Sequence, residues 1–391
     1  MGSVSHDSLR GWRIVASSFL ATFTVFGIVY SFGAFFRPMA TEFGASRETT
    51  SAIFAITAFI YFMLGPLTGH LSDRLGPRPI VAFGALAMAA GLIATTFIAR
   101  LQMAYLTYGL GVGAGVACCY VPLVSGVSGW FTRRRNTALG IAVSGIGAGT
   151  LAIPPLSAEL IGRWGWRDAD LGLGVAAAVL LMICAALAER PPHQPAIASF
   201  HIGPQLRTPN FVMLYLAGML WTIATAVPFV FLTPYAEGHG IGRVSAAALV
   251  SLIGLASTVG RLGLGTLGDR IGLIHLYRLC ILSLGLSFSI WFVADSYLML
   301  AIFALVMGAS YGGAVTLTPA VMAELFGTRG LGVMLGTLYT SSAIGTLLGP
   351  PLCGAIVDRT GSYSTAIALT GGVTIVGCLL LTRLRPASSY A

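Results

Sequence analysis

The chain has 391 residues, of which 56% are hydrophobic and only 9% are charged, and its formal net charge is +9. Because a soluble domain carries about 25% charged residues, this composition excludes a soluble enzyme or binding module and indicates a protein with many membrane-spanning helices. The positive charge does not indicate nucleic-acid binding, since all 22 basic residues are arginines scattered over short loops.

Twelve apolar segments follow one another along the chain, and each is long enough to cross a bilayer as a helix. The longest segment left between them, residues 189–208, has 20 residues and no room for a folded domain. We therefore predict an all-α membrane protein with twelve transmembrane helices. The predicted spans are 11–36, 49–72, 79–99, 102–130, 137–161, 168–188, 209–236, 244–267, 273–294, 296–323, 331–357 and 363–383.

The arginines are unevenly distributed over the loops that join these spans. Fourteen lie on the side of the membrane that holds both termini, seven lie on the other side, and Arg261 lies within the eighth span. Basic residues are enriched in cytoplasmic loops. The bias therefore predicts a multi-pass protein of the plasma (inner) membrane with both termini in the cytoplasm.

The two halves of the sequence repeat each other at an offset of 196 residues. The repeat predicts an N-terminal six-helix bundle at residues 1–188, a cytoplasmic linker at 189–208 and a C-terminal six-helix bundle at 209–391. Paired bundles of this kind recur in secondary transporters, which hold the substrate near the middle of the membrane. The matching pairs include Pro38 and Pro234, Arg47 and Arg243, Asp73 and Asp269, Gly76 and Gly272, and Pro154 and Pro350.

A charged loop motif occurs once in each half, after the second and the eighth spans. The first copy contains Asp73, Arg74 and Arg78, and the second contains Asp269 and Arg270. An Asp at the end of one helix can cap a neighbouring helix and pair with Arg, so these residues are candidates for a gating latch on the cytoplasmic side. The alternative is a plain helix–turn–helix stop with charges that set the topology.

Arg261 is the candidate anchor for a ligand. An arginine near the centre of a transmembrane helix costs about 2.5–3.5 kcal/mol on insertion scales, and no carboxylate in the sequence lies within a span at its depth. A planar guanidinium matches a carboxylate in a bidentate pair, so we predict that the countercharge is a substrate carboxylate. The alternative is a structural role in packing. The equivalent residue in the first half is Gly65, so the charge belongs to one half only.

Five further residues are candidates for substrate binding because their position along the spans could place them around the same cavity. Tyr120 and Tyr339 come out at a depth similar to that of Arg261, and Ser257 lies one helical turn away from it. Tyr311 and Tyr30 lie further towards the outer side, where packing is the favoured interpretation for both. A tyrosine could donate a hydrogen bond to the substrate while its ring excludes bulkier acids.

The loop motif resembles the signature G-x-x-x-D-R-x-G-R-[RK] of the major facilitator superfamily. The first copy is GHLSDRLGPR at residues 69–78, and the second, GTLGDRIG at residues 265–272, lacks the trailing basic residue. The resemblance covers the whole chain. It implies the major facilitator fold, in which two pseudo-symmetric six-helix bundles give alternating access to one site.

Three other segments resemble the bacterial-type monocarboxylate transporter family and the related oxalate/formate antiporters. They are RGWRIV at residues 10–15, YSFGAFF at 30–36 and WFTRRRNTALGIAVSG at 130–145. Members of this family carry an arginine in the eighth span that is implicated in binding the substrate carboxylate, and Arg261 matches that position.

The chain departs from the family pattern at residues that bear on coupling and substrate charge. Many animal members have an Asp where this chain has Ser257 and a Lys where it has Tyr30, and both are tied to proton coupling in that branch. Oxalate exchangers have an additional Lys in the eleventh span, and residues 332–345 contain none. A single embedded cation suits one carboxylate, which favours a monocarboxylate.

We therefore predict a secondary transporter of small monocarboxylates such as L-lactate or pyruvate, with proton symport by alternating access. The alternatives are an anion exchanger of the oxalate/formate type and a facilitated uniporter; an intramembrane enzyme and a sensor are less favoured. With no carboxylate or His at the centre of a span, the proton would travel with the substrate or through a tyrosine-lined site. We expect a monomer in the bilayer, a proton as co-substrate, no enzymatic activity, no cofactor, no metal and no nucleic-acid partner.

Overall fold

The computed structural model describes residues 9–127, 129–131, 135–190, 203–327 and 331–384. All regular secondary structure in these ranges is helical, and twelve helical segments are long and apolar enough to cross a membrane. This confirms the predicted all-α protein with twelve spans. The described residues fall into two compact units, Met1–Ala45 with Ile56–Ile197, and Ser46–Ala55 with Ala198–Ala391.

The first unit contains the first six spans. The first span is broken at Ser31 into α1 and α2, and the fourth span begins with a π-helical turn, Tyr105–Leu110, that continues as α5. The helices are α1 (Leu9–Tyr30), α2 (Phe32–Phe43), α3 (Arg47–Leu75), α4 (Pro77–Thr95), α5 (Gly111–Val127), α6 (Arg135–Trp164) and α7 (Trp166–Leu187).

The second unit contains the last six spans, preceded by the single turn α8 (Gly203–Leu206). Most of the predicted linker, residues 191–202, lies outside the described residues. The helices are α9 (Pro209–Gly238), α10 (Arg243–Ile271), α11 (Leu273–Phe292), α12 (Tyr297–Phe326), α13 (Leu331–Thr360) and α14 (Tyr363–Leu381).

The first nine residues of α3 belong to the second unit, as part of its segment Ser46–Ala55. Asp358, near the end of α13, accepts a hydrogen bond from the backbone N–H of Glu48 at 3.0 Å and pairs with the Arg47 guanidinium at 3.3 Å. Because the first N–H groups of a helix have no partner within the helix, this carboxylate caps the start of α3. The grouping of the units therefore differs from a division at the linker alone.

The helix boundaries and turns reproduce the sequence repeat. α3 and α10 begin and end at residues related by the 196-residue offset, and so do α6 and α13. The turns after α3 and α10 both contain a glycine with positive φ, Gly76 at 93° and Gly272 at 88°. A left-handed φ is open to glycine without steric cost. The matching glycines therefore end equivalent helices in the same way, which accounts for their recurrence in the sequence.

Candidate functional site

Arg261 lies well inside α10, ten residues before the helix ends at Ile271. At 1.5 Å per residue, Arg261 is about 15 Å from the helix end. This is deeper than the predicted span, which ended at residue 267, had suggested. The residue is half-buried, and its Nε atom is buried without a hydrogen-bond partner among the residues that the structure describes. The guanidinium therefore retains an N–H group that can bind a ligand.

An aromatic wall lies beside this guanidinium. The Cζ atom of Arg261 is 6.0 Å from the centre of the Tyr311 ring on α12, within the range of a cation–π contact. Two side chains of α9 pack against the same ring, with centroid separations of 6.0 Å for Phe229 and 6.4 Å for Trp221. Tyr311 is a candidate from the sequence that was expected further towards the outer side than Arg261, with packing as the favoured interpretation; the structure brings the two side chains together.

Close packing of α10 against α12 explains why Arg261 and Tyr311 meet. A Cβ atom at Gly308 or Gly312 would collide with the backbone carbonyls of Ile253 and Ser257, and one at Gly260 would collide with the carbonyl of Ala309. Small residues at such spacing let transmembrane helices approach closely. Arg261 directly follows one of these contacts and Tyr311 directly precedes another, so the helix contact sets the distance between them.

Ser257 lies one helical turn before Arg261 on α10. Its side chain is 4% exposed, and its hydroxyl oxygen has no hydrogen-bond partner within the described part of the chain. A buried hydroxyl without a partner is costly. Together with the Arg261 Nε, it gives two unsatisfied polar atoms on neighbouring turns of one helix.

The carboxylates of the described residues are engaged elsewhere or lie at helix ends. No ion pair between described residues includes Arg261. Ion pairs among these residues include Arg47–Asp358, Arg163–Glu159 and Arg167–Glu42.

The remaining predicted tyrosines do not all belong to this cluster. Tyr339 lies on α13, in the same unit as Arg261, and is half-buried. Tyr120 and Tyr30 lie in the first unit, where their rings pack against Phe26 at 5.2 and 5.8 Å. Tyr61 of α3 joins the same ring at 6.1 Å. The sequence analysis did not single out Tyr61, which is the repeat equivalent of Ser257.

A second unsatisfied polar group lies in the first unit, and the sequence interpretation missed it. In the sequence, Asp170 stands near the start of the sixth predicted span, 168–188, where a carboxylate is expected to be solvated. The structure places it in the second turn of α7, 1% exposed, with both carboxyl oxygens lacking a hydrogen-bond partner among the described residues. Its burial comes from neighbouring helices, which a linear sequence does not show.

The sequence as a whole matches known transporters. The model of the Major Facilitator Superfamily matches residues 18–279 and 262–390. Monocarboxylate transporter 12 of Rattus norvegicus is 32% identical, with 97% of this chain and 87% of the relative covered. Monocarboxylate transporter 13 of Rattus norvegicus is 30% identical, with 97% and 90% covered. This chain belongs to the monocarboxylate transporter family of the major facilitator superfamily. The predicted family is confirmed.

Other similarities extend beyond the animal proteins. The MFS transporter asaE of Aspergillus flavus is 28% identical over 94% of this transporter and 85% of its own length. A mutant of the peptide transporter POT in complex with alafosfalin has a TM-score of 0.76 at 15% identity, with 97% of this transporter and 95% of that chain covered. A bacterial homologue of the human lysosomal transporter Spinster has a TM-score of 0.71 at 14% identity, with 96% of this transporter and 95% of that chain covered. These structural matches confirm the major facilitator fold, and the family makes the protein a secondary transporter.

The loop motif of this transporter has a structural role in the first unit. Arg78 donates from Nε to the carbonyl of Ala188 at 2.8 Å and from Nη2 to that of Ala186 at 2.9 Å, so it caps the end of α7. Asp73 and Arg74 are exposed, and the carbonyl of Arg74 accepts a 2.6 Å bond from Arg190. The side chains of the second copy, Asp269 and Arg270, lie outside the described residues.

The second unit caps its last helix with a different arginine. Arg278 on α11 donates to the carbonyls of Leu381, Thr382 and Leu384 at the end of α14, the closest at 2.8 Å. It lies one helical turn beyond the position equivalent to Arg78. The trailing basic residue that the second motif lacks therefore has a substitute, which the motif alone does not reveal.

An apolar groove lies between α11 and α12 in the second unit. It has a volume of about 300 Å³ and is lined by Leu279, Leu282, Ser283, Leu286, Ser287, Ile290 and Val306. None of these lining residues is charged, so the groove does not suit a carboxylate. No cluster of three or more metal-binding side chains occurs in the part of the chain that the structure describes.

Proposed function

We propose that this protein is a secondary transporter of small monocarboxylates such as L-lactate or pyruvate, coupled to protons by alternating access. The observation that carries the proposal is the Arg261 guanidinium, whose buried Nε lacks a partner among the described residues and which lies over the Tyr311 ring. A cation inside a membrane helix marks a substrate or ion pathway. A carboxylate is the anion that fits a guanidinium edge in a bidentate pair.

The surroundings of Arg261 favour a small acid with one carboxylate. Tyr311, Trp221 and Phe229 form an aromatic wall that limits the volume beside the guanidinium. The Ser257 hydroxyl, one turn away, can donate to a keto oxygen or accept from a hydroxyl group. A single cation neutralises one carboxylate and leaves a second one without a countercharge.

The names of the relatives support the same substrate class. Two proteins at 30–32% identity over 97% of this chain are monocarboxylate transporters by name. The names do not specify which acid is carried, so L-lactate and pyruvate are proposed from the site. We also propose that the protein lies in the plasma (inner) membrane with both termini in the cytoplasm, since the arginine bias of the loops favours that orientation.

The test is uptake of labelled L-lactate into proteoliposomes, at matched pH and with an inward proton gradient. We expect gradient-driven accumulation by the wild type and its loss in Arg261→Gln. Arg261→Lys keeps the charge but not the bidentate geometry, so we expect partial activity. Arg243→Gln is the matched control, because Arg243 is an exposed residue at the start of the same helix; it should transport like the wild type.

Three outcomes would change the proposal. Uptake that requires unlabelled internal anion and ignores a pH step would make the protein an exchanger, in which an empty Arg261 slows the return of the unloaded carrier. Equilibration without accumulation would make it a uniporter. Equal uptake by the wild type and Arg261→Gln would remove Arg261 from the site.

A further inference from the structure

Asp170 is a carboxyl group buried inside the first unit without a countercharge. It lies four residues into α7, is 1% exposed, and is the only carboxylate among the described residues that belongs to the buried set. Neither of its oxygens has a hydrogen-bond partner in the described ranges. An ionised carboxylate without a partner is far more costly in apolar surroundings than a neutral one. The group is therefore a neutral acid in this arrangement.

The nearest cation on the same helix is committed to other acceptors. Arg167, three residues before Asp170, pairs with Glu42 through Nη2 at 2.6 Å and through Nε at 3.2 Å. It also donates to the carbonyls of Ile98 and Thr96. Its planar set of donors is directed away from Asp170, and the Glu42 carboxylate is satisfied in turn. Neither residue neutralises the buried acid.

The other titratable groups at this end of α7 are also accounted for. On α6, Arg163 and Glu159 pair with each other at 2.7 Å at the exposed end of the helix. Arg37 of α2 and Arg100 of the loop after α4 are exposed, as is Asp168 on α7 itself. Tyr30 at the end of α1 is 5% exposed and packs on Phe26.

Tyr108 is the titratable group that interacts with Asp170. Its phenol lies within electrostatic range of the carboxyl, and its hydroxyl donates to the carbonyl of Ile28 on α1 at 3.4 Å. Tyr108 belongs to the π-helical turn Tyr105–Leu110. Such turns occur frequently at functional sites, and they carry one residue more than a regular turn. The buried acid therefore lies within electrostatic range of one residue of this irregular turn.

The sequence repeat shows that the packing does not require an acid here. The residues equivalent to Asp170 and Tyr108 in the second half are Ala366, 1% exposed, and Ala304, fully buried. The equivalent span, α12, runs without a π-helical turn. The acid, the phenol and the irregular turn are therefore additions to one half, as Arg261 is an addition to the other.

We propose that Asp170 is the proton-binding site of this transporter. The carboxyl O–H bond breaks when a rearrangement at the π-helical turn admits water, the proton leaves to that water, and the carboxylate takes a proton from the other side later in the cycle. This inference names where the co-transported proton binds, so it rests on the proposed function. A single carboxylate with no further oxygen ligand does not suit a metal cation, which takes several oxygens.

The binding of a proton is tested first without substrate. Infrared difference spectra of the purified protein in liposomes, taken between two pH values, should show the C=O stretch of a protonated carboxyl. We expect this band to disappear in Asp170→Asn and to persist in Asp168→Asn, the matched change at an exposed residue two positions away. A band that survives in Asp170→Asn would overturn the assignment, as would its absence from the wild type.

Coupling is then tested with two transport assays on the same proteoliposomes. Counterflow of labelled against unlabelled L-lactate needs no net proton movement, whereas accumulation driven by a proton gradient does. We expect Asp170→Asn to retain counterflow and lose gradient-driven accumulation, and Asp170→Glu to restore part of the accumulation. Asp168→Asn should keep both activities.

The outcomes separate a failure of this site from a failure of the proposed function. A wild type without any lactate flux would contradict the proposed substrate, while the infrared band would still decide whether Asp170 binds a proton. Gradient-driven accumulation that persists in Asp170→Asn would overturn the coupling role. Accumulation driven by sodium instead of protons would overturn it as well.

Discussion

The Arg261 guanidinium lies over the ring of Tyr311, with 6.0 Å between the Cζ atom and the ring centre. The equivalent positions in the first half hold Gly65 and Gly115, so neither partner is required by the repeated architecture. A cation and a ring introduced together at one helix contact in one half are best explained by a ligand. In the proposed site, the ring would hold the guanidinium in place and leave its N–H edge to the substrate carboxylate.

Replacing Tyr311 separates the contribution of the ring from that of the hydroxyl. A cation–π contact contributes about 0.5–2 kcal/mol, which corresponds to about 2- to 30-fold in affinity. We therefore expect Tyr311→Leu to raise the KM for L-lactate within that range and Tyr311→Phe to change it little. Initial rates of uptake over a range of lactate concentrations measure both. A larger rise in KM for Tyr311→Phe than for Tyr311→Leu would show that the hydroxyl, and not the ring, acts in binding.

The sequence singles out Arg261 because a charge within an apolar span is visible in the sequence alone. It predicted the partner poorly, because the meeting of Arg261 with Tyr311 depends on the close contact of α10 and α12 at Gly260 and Gly312. Helix order and length followed from hydropathy and the repeat. The sequence did not predict which side chains face each other across two helices. Glycines are common throughout the chain, so they do not mark which helices come into close contact.

The burial of Asp170 could not be predicted from the sequence. Asp170 follows Arg167 and Asp168, a charge pattern that is typical of a solvated helix start. Asp168 is indeed exposed and Arg167 is half-exposed. The burial of Asp170 comes from helices that are remote in sequence. The one signal in the sequence is the repeat, because the equivalent residue in the second half, Ala366, is apolar.

Gly312 should be intolerant of even one added methyl group. Its Cβ would collide with the carbonyl of Ser257, which belongs to the rigid backbone of α10, and overpacking of this kind costs about 1–3 kcal/mol. We expect Gly312→Ala to displace Tyr311 from Arg261 and to lower lactate uptake per folded molecule. Gly372→Ala is the control, since a Cβ there meets open space. Equal uptake by both variants would mean that the α10–α12 distance does not govern the site.

Ser257 provides a test of whether its unsatisfied hydroxyl serves the substrate. If it hydrogen-bonds to the acid, Ser257→Ala removes about 0.5–1.5 kcal/mol of binding, or about 2- to 12-fold in KM. The thermal stability should stay constant or rise, because the variant no longer buries a hydroxyl without a partner. Uptake kinetics and a melting curve on the same preparation give both quantities. An unchanged KM with raised stability would leave Ser257 outside the site.

Arg78 distinguishes a helix cap from a gating latch. Its guanidinium bonds to the carbonyls of Ala186 and Ala188, which are among the orphan acceptors at the end of α7. Because hydrogen bonds from a charged group are stronger than neutral ones, we expect Arg78→Gln to lower the melting temperature while the folded fraction transports normally. Arg74→Gln removes an exposed guanidinium from the same loop and should leave the melting temperature unchanged. Melting curves and uptake normalised to folded protein distinguish the two roles of Arg78. A loss of uptake by Arg78→Gln at an unchanged melting temperature would identify the residue as a latch, because a latch acts on the rate of conformational exchange and a cap acts on the stability of one helix end.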